Sequence, residues 1–221
     1  MKKYFFIFLY MMIFFTSIAQ KNKIAYGFQS GVNLNTAYGN ESLKKYAGTT
    51  AGLHIEGHFK IDITAHFGLK AILGYDQNGW VYRSLTFTND VGNDLGSGNL
   101  KEKLNYLNLP IIAEYTFGKK IKFYADAGIF AGYLLKYTIV RKIKEPVAST
   151  TKTTSDFRKA TNYGFTAGVG LQFPIASKIK LDFGLRNNLG LANIYKPVST
   201  ENGTIKTNSL SILAGVTCSL K

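Results

Sequence analysis

Two histidines and a glutamate occupy alternate positions in the segment TAGLHIEGHFKI, residues 50–61. Successive side chains of a strand point to opposite faces, so this spacing puts His54, Glu56 and His58 on one face. Imidazole and carboxylate groups in such an arrangement are ligands that zinc accepts. The order differs from the helical HExxH pattern of metalloproteases, in which the acid follows the first histidine directly. The three residues are therefore a weak candidate for a metal site.

Ionisable residues recur at the same alternate positions in other segments, and their signs are mixed. Buried charges are tolerated when they are paired, so a packed network of ion pairs is the simpler interpretation of this face. We therefore predict no catalytic site, no metal and no cofactor. The predicted network consists of Glu56, Lys60, Lys70, Asp76, Glu114, Lys122, Asp126, Lys136, Lys180, Asp182 and Arg186.

Strands are the elements that must position these residues. Apolar and polar residues alternate through about eight segments, each close to the ~9–11 residues with which a tilted strand crosses a bilayer. The composition, with 46% hydrophobic residues and 22 glycines in 221 residues, suits one all-β domain. The single Cys218 excludes an intrachain disulfide. The segments lie near residues 24–35, 50–61, 67–76, 106–117, 122–137, 162–173, 179–191 and 209–220.

Volume decides which face of the predicted strands points inward. A soluble barrel of the lipocalin type would turn its apolar face to the interior. An eight-stranded barrel, however, is only wide enough inside for its side chains. The apolar face carries most of the bulky residues and the other face most of the glycines, so the glycine-and-charge face fits inside. We predict that Leu53 and Phe59 face lipid and that Glu56 faces the lumen.

The links between the segments alternate between short and long. This alternation is typical of outer-membrane barrels, which have short periplasmic turns and longer extracellular loops. It therefore predicts which end of the barrel faces the periplasm and which faces the exterior. The short links lie near residues 62–65, 118–120 and 174–178, and the long links near residues 38–49, 78–103, 140–161 and 192–206.

The N-terminal stretch MKKYFFIFLYMMIFFTSIA has the pattern of a cleaved signal peptide. Two lysines precede an apolar run, and Ser17 and Ala19 are small residues at positions −3 and −1 of a cleavage site. The apolar run is shorter than the ~20 residues of a spanning helix. We predict that residues 1–19 are a cleaved signal peptide and that residues 20–221 form the barrel domain.

Four stretches make the chain resemble a known family: NYLNLP at 105–110, GIFAGYLLK at 128–136, YGFTAGVG at 163–170 and LGLANI at 189–194. They look like the outer-membrane β-barrel family typical of Bacteroidetes, which includes PorT-like proteins. PorT-like membership implies a role in the type IX secretion machinery. Barrels of this kind usually end on an aromatic residue that the barrel-assembly machinery recognises, and the final Lys221 departs from that pattern.

Two other function classes find little support in the sequence. Some small outer-membrane barrels are lipid-modifying enzymes that use histidine with serine, but the predicted extracellular links contain no histidine. The formal net charge of +14 would suit nucleic acid if the basic residues formed one patch. Instead they are spread over links and strand ends, where an exported barrel meets the phosphates of lipopolysaccharide.

The sequence therefore predicts an eight-stranded antiparallel transmembrane up-and-down β-barrel in the outer membrane of a Gram-negative cell, with a polar lumen plugged by side chains. We expect a structural or interaction role through the extracellular loops, with a PorT-like secretion accessory as a variant. A narrow transporter or a lipid-modifying outer-membrane enzyme is the alternative. The expected partners are outer-membrane lipids and lipopolysaccharide, the barrel-assembly machinery, and a secretion-system or surface protein; nucleic acid is not expected.

Overall fold

The computed structural model describes residues 23–88, 92, 94–143, 150–153, 158–196 and 203–220. The predicted signal peptide lies outside these residues. Within the described part of the chain, none of the helical structure is long and apolar enough to cross a membrane. The elements in chain order are β1 (Lys23–Tyr38), α1 (Glu41–Tyr46), β2 (Ala47–Asp62), β3 (Phe67–Thr88), β4 (Asp94–Phe117), β5 (Lys122–Ile143), β6 (Thr150–Thr153), β7 (Thr161–Pro174), β8 (Ile179–Gly190) and β9 (Lys206–Ser219).

Eight of these strands form a closed ring of antiparallel pairs. Each strand pairs with the next along the chain, with β5 passing directly to β7, and β9 closes the ring on β1. Val32 of β1 stands opposite Ile212 of β9 at this closing seam. The short β6 pairs with the far part of β5 and lies outside the ring. Within the described residues, closure gives each of the eight ring strands a partner on both sides, which is the condition for a sheet to exist in lipid. The predicted eight-stranded barrel is confirmed.

Most bulky apolar side chains lie on the outer face of the barrel and most buried polar ones on the inner face, as predicted from volume. Leu53 and Phe59 point outward and are 42% and 44% exposed, whereas Glu56 between them is 1% exposed. The outward surface is a continuous apolar band, and the inward surface holds most of the buried polar and charged side chains. The predicted assignment of faces is confirmed for these three residues.

Three short links define one end of the barrel, called here the short-turn end. They comprise residues 63–66, 118–121 and 175–178, close to the predicted positions. Gly118 has φ +103°, and a Cβ there would lie 2.3 Å from the carbonyl oxygen of Ile121. The turn from β4 to β5 therefore requires glycine, because other residues rarely adopt that backbone conformation.

The opposite end, called the long-loop end, differs from the prediction. Residues 78–103 were expected to form a long loop, but β3 continues to Thr88 and β4 begins at Asp94. These strands contain 22 and 24 residues, about twice the ~9–11 that a tilted strand needs to cross a bilayer. The sheet therefore continues past the lipid-facing band as an extended hairpin. Inward and outward side chains continue to alternate through this region, and that pattern is typical of a strand rather than of a loop.

The long-loop end also carries the helix α1 over the interior. The side chain of Asn40 accepts a hydrogen bond from the Leu43 backbone N–H at 2.8 Å and so caps the first turn. Leu43 is 1% exposed and packs in a cluster with Trp80, Leu104 and Ile194. The helix is short, and this packing, more than its own hydrogen bonds, holds it in place.

Candidate functional site

Arg186 lies at the centre of the polar lumen between carboxylates from two other strands. Its Nη1 donates to Glu56 at 2.6 Å, and its Nη2 lies 3.5 Å from Asp126. The Glu56 carboxylate also lies 2.8 Å from Nε2 of His54, whose other ring nitrogen faces Asp76. All five side chains are at most 5% exposed. Groups of opposite sign are thus paired, as buried charges must be.

Uncharged residues complete the environment of Asp76. The amide of Asn33 donates to its carboxylate at 2.9 Å, and the amide of Asn108 donates to the second oxygen. The Ser211 hydroxyl in turn donates to Asn33 at 2.5 Å. The predicted network was restricted to charged residues, so this shell was not part of it. Its signal was present, because these residues occupy the inward alternate positions of β1, β4 and β9.

Towards the short-turn end the network continues through two lysines and one glutamate. Lys60 lies 2.7 Å from Glu114 and 2.8 Å from Asp62. Lys70 contacts the other oxygen of Glu114, and its ammonium group lies 5.1 Å from the centroid of the Tyr124 ring. Glu114 is fully buried and neutralised by both lysines.

The candidate metal residues are not arranged around a common point. His54 contacts Glu56 and Asp76, whereas Nε2 of His58 lies 3.0 Å from the Thr217 hydroxyl, which donates to Asp182 at 2.5 Å. Within the described residues, no group of three histidine, cysteine or acidic side chains could hold a metal ion. The described geometry therefore pairs His54, Glu56 and His58 with separate protein partners.

Three lysines of the predicted network are placed differently from the rest. Lys122 and Lys180 are half-buried near the short-turn end, and neither forms an ion pair with a described residue. Lys136 is exposed on the outer face, so its predicted lumen position is wrong. The pairing of β4 with β5 shifts register between Asn105 and Tyr106, and this bulge reverses the faces beyond it. Tyr137, which strict alternation with Lys136 would turn to lipid, is consequently 2% exposed inside.

A second buried group closes the long-loop end, and we call it the mouth cluster. Arg158 contacts the Glu102 carboxylate, and the Tyr137 hydroxyl donates to the same carboxylate at 2.6 Å. The Arg158 guanidinium lies 5.5 Å from the Trp80 ring centroid and 5.1 Å from that of Tyr137, within the range of cation–π attraction. Burial and the Glu102 carboxylate raise the pKa of nearby Tyr82.

Backbone hydrogen bonds hold the chain segment that carries Arg158 against two neighbouring segments. Lys159 N–H donates to the Ile194 carbonyl at 2.9 Å, and Leu134 N–H donates to the Ala160 carbonyl at 2.7 Å. Trp80 and Glu102 were expected to lie in the long link 78–103, so this cluster was not predicted. The available signal was the alternation Trp80–Tyr82, which continues the pattern of β3 past its expected end.

Several solved structures of outer-membrane proteins are similar to this chain. Neisserial surface protein A is 14% identical, with a TM-score of 0.48 over 88% of this chain and 97% of its own. A major outer membrane protein from Thermus thermophilus is 10% identical, with a TM-score of 0.49 over 89% and 99%. Ail, the attachment invasion locus protein of Yersinia pestis, is 9% identical, with a TM-score of 0.43 over 88% and 99%. No curated protein sequence matches the chain.

A family model described as the outer membrane protein beta-barrel domain matches residues 18–196, which is most of the chain. Together with the closed ring of eight strands and its apolar outer band, the match places the protein in the outer membrane. The short-turn end then faces the periplasm and the long-loop end the exterior. The chain belongs to the outer membrane protein beta-barrel domain family.

Proposed function

We propose that this protein is a closed, non-enzymatic outer-membrane barrel that acts through its extracellular strands and loops. The observation that carries the proposal is that two separate layers of buried side chains cross the interior. One is the ion network around Arg186 and Glu114, and the other is the mouth cluster around Arg158. An eight-stranded ring has little interior space beyond its side chains, whereas water-filled porins use about 16–18 strands.

The extended hairpin of β3 and β4 is the part of the molecule best suited to contact another protein. It stands beyond the lipid band and stays strand-paired as far as Thr88 and Asp94, with register shifts after Tyr82 and Phe87, so it offers a paired sheet surface rather than an unpaired loop. A secretion accessory of the PorT-like kind is the specific form of this proposal that the resemblance suggests. A surface protein or a component of a secretion system is then the partner, and the barrel-assembly machinery acts only during insertion.

Planar-bilayer recording tests whether the lumen is closed. The purified protein should give no stable ohmic conductance, because an ion would have to displace paired charges such as Arg186 and Glu56. A porin recorded in the same membranes serves as the positive control. Reproducible single-channel steps that disappear in Arg186→Gln or Asp182→Asn would replace this proposal with a narrow transporter. Turnover of a labelled outer-leaflet lipid by the same preparation would replace it with a lipid-modifying enzyme.

Complementation of a deletion strain tests the role of the hairpin. In one variant, residues 83–99 are replaced by Asn-Gly, which joins the opposed Tyr82 and Leu100 through a two-residue turn. The matched control is Arg186→Lys, which keeps the charge of the lumen. We expect the control and the wild type, but not the shortened hairpin, to restore the surface and secreted proteomes. Full restoration by the shortened hairpin would contradict the proposal.

A further inference from the structure

Four lysines line the outer face of β4 and β5 just beyond the lipid-facing band. In the β4–β5 register, Asn105 stands opposite Lys136, Lys103 opposite Thr138, and Asn99 opposite Lys142. Directly opposed residues share a face of the sheet, so Lys101 and Lys103 of β4 lie beside Lys136 and Lys142 of β5. Lys103, Lys136 and Lys142 are exposed, and Lys101 is half-buried. The bulge that displaced Lys136 from the lumen is what brings it to this face.

The positive charge of this face is not neutralised by the acids described nearby. On β3, β4 and β5, the acidic residues with described side chains are Asp76, Glu102, Glu114 and Asp126, and all four point inward and are buried. Partial burial, together with Lys103 and Lys142, lowers the pKa of Lys101. The ammonium groups therefore act on one another and lack a described counter-ion on their own face.

An apolar groove lies directly below the lysines on the same outer surface. Ala131 forms its floor between the larger Leu109 and Tyr163, which stand opposite it on β4 and β7. Lys103 and Leu109 are six residues apart on β4, roughly 20 Å at ~3.4 Å per residue. A strand tilted by ~40° turns this separation into about 15 Å of depth, which is the depth of one leaflet of the hydrocarbon core. A lipid with its headgroup at the lysines would therefore have acyl chains that reach this groove.

We propose that this face binds a phosphorylated glycolipid of the outer leaflet, with its phosphate on Lys101, Lys103, Lys136 and Lys142 and one acyl chain along Ala131. Lysine ammonium groups attract phosphate as point charges, and basic clusters at the edge of a bilayer select anionic headgroups. Tyr133, three residues from Lys136 on β5 towards the lipid band, supplies the interfacial aromatic ring typical of this depth. The inference requires the outer-membrane location but is independent of whether the lumen conducts.

Native mass spectrometry of the protein in octyl glucoside, titrated with bisphosphorylated lipid A, tests the phosphate contact. The variant K101Q/K103Q/K136Q/K142Q should bind at least about tenfold more weakly than the wild type. The matched control K23Q/K119Q/K120Q/K178Q removes four exposed lysines from the short-turn end and should bind within roughly twofold of the wild type. Equal affinities of the two quadruple variants would overturn the proposal.

Two further ligands identify the source of the phosphate. Chemically dephosphorylated lipid A should bind the wild type as weakly as the phosphorylated form binds the first quadruple variant. Inorganic phosphate should fail to displace bound lipid A, whereas displacement at equal concentration would indicate a site for soluble anions and overturn the lipid assignment. Every variant is first checked for heat-modifiable migration on gels. If the quadruple variant does not fold, K101Q/K103Q and K136Q/K142Q are compared, and each should show part of the loss.

The acyl groove is tested separately by filling it. A131F places a ring on the floor of the groove and should weaken binding of bisphosphorylated lipid A severalfold. A127F is the matched control, since Ala127 is exposed on the same strand but does not line the groove. Equal weakening by both variants, or by neither, would overturn the acyl contact.

Discussion

Arg186 and Arg158 are both buried in the barrel, but their surroundings differ. Arg186 lies at the level of the membrane between Glu56 and Asp126, in a lumen where glycines alternate with charges. Arg158 lies at the extracellular mouth between the rings of Trp80 and Tyr137, with Glu102 as its carboxylate. The described partners of Arg186 include two carboxylates, whereas those of Arg158 include two aromatic rings and one carboxylate.

The difference follows from the space around each arginine. Inside the membrane the ring is narrow, and inward glycines leave room for long charged side chains that meet across it. At the mouth, α1 and the segment near residue 158 fold over the end of the ring. This end borders water, so an apolar cluster there is covered from solvent as in a soluble protein and closes the mouth. We therefore expect that damage to the lumen affects the whole barrel, whereas damage to the mouth affects only the mouth.

The largest effect is expected from Arg186→Ala. It leaves Glu56 and Asp126 without their shared cation, and breaking a buried pair in this way costs about 3–5 kcal/mol. The measurement is the free energy of unfolding by urea in detergent micelles, read from the fraction that migrates as folded protein on gels. Arg186→Lys keeps the charge and should lower the free energy of unfolding clearly less than Arg186→Ala does. A loss below ~1 kcal/mol for Arg186→Ala would mean that the lumen is wetter than the burial of these groups implies.

Trp80→Ala should cost nearly as much stability, but only at the long-loop end. The ring is fully buried, and removing a large core side chain costs about 3–5 kcal/mol. We expect faster hydrogen exchange at Leu43 and Leu104 and faster proteolysis at the long-loop end, with unchanged heat-modifiable migration. Trp80→Phe is the control and should preserve most of the protection. Loss of the folded gel band in Trp80→Ala would contradict the separation of the two regions.

A smaller effect is expected for Glu102→Gln. The change makes the Arg158 acceptor at position 102 neutral, and a hydrogen bond to a charged group contributes about 1.5–3 kcal/mol. The aromatic faces of Trp80 and Tyr137 continue to stabilise the guanidinium, which limits the loss. A double-mutant cycle with Arg158→Gln measures the coupling through the same exchange protection. Strictly additive losses would show that Glu102 and Arg158 do not interact energetically.

The smallest effect is expected for Lys136→Ala, which checks the bulge in β5. An exposed lysine outside the lumen should change the free energy of unfolding by no more than about 0.5 kcal/mol. Lys70→Ala is the matched comparison, because it leaves Glu114 buried beside one lysine instead of two and should cost several times more. If the two variants lose the same stability, Lys136 contributes to the lumen after all.

Much of the barrel was predictable because strand alternation has a strict period of two. The inward positions of Glu56, Lys70 and Asp182 follow from counting along each segment. Counting fails where the period itself changes. At the β5 bulge one extra residue moves Lys136 outward and Tyr137 inward, and no residue type there announces the change. Trp80 was missed for a different reason, since the hairpin strands are twice as long as a membrane requires.

Alternation, glycine content and link lengths are local properties, so the chain alone determined the strands, the ring they form and the lipid-facing side. The partners across the ring were decided only by the tertiary structure. Arg186 of β8 meets Glu56 of β2 across the lumen, 130 residues apart in the chain, and Arg158, in the segment before β7, reaches Glu102 of β4. Such contacts depend on the register and stagger of every strand between them, and the period of a single strand carries no information about either.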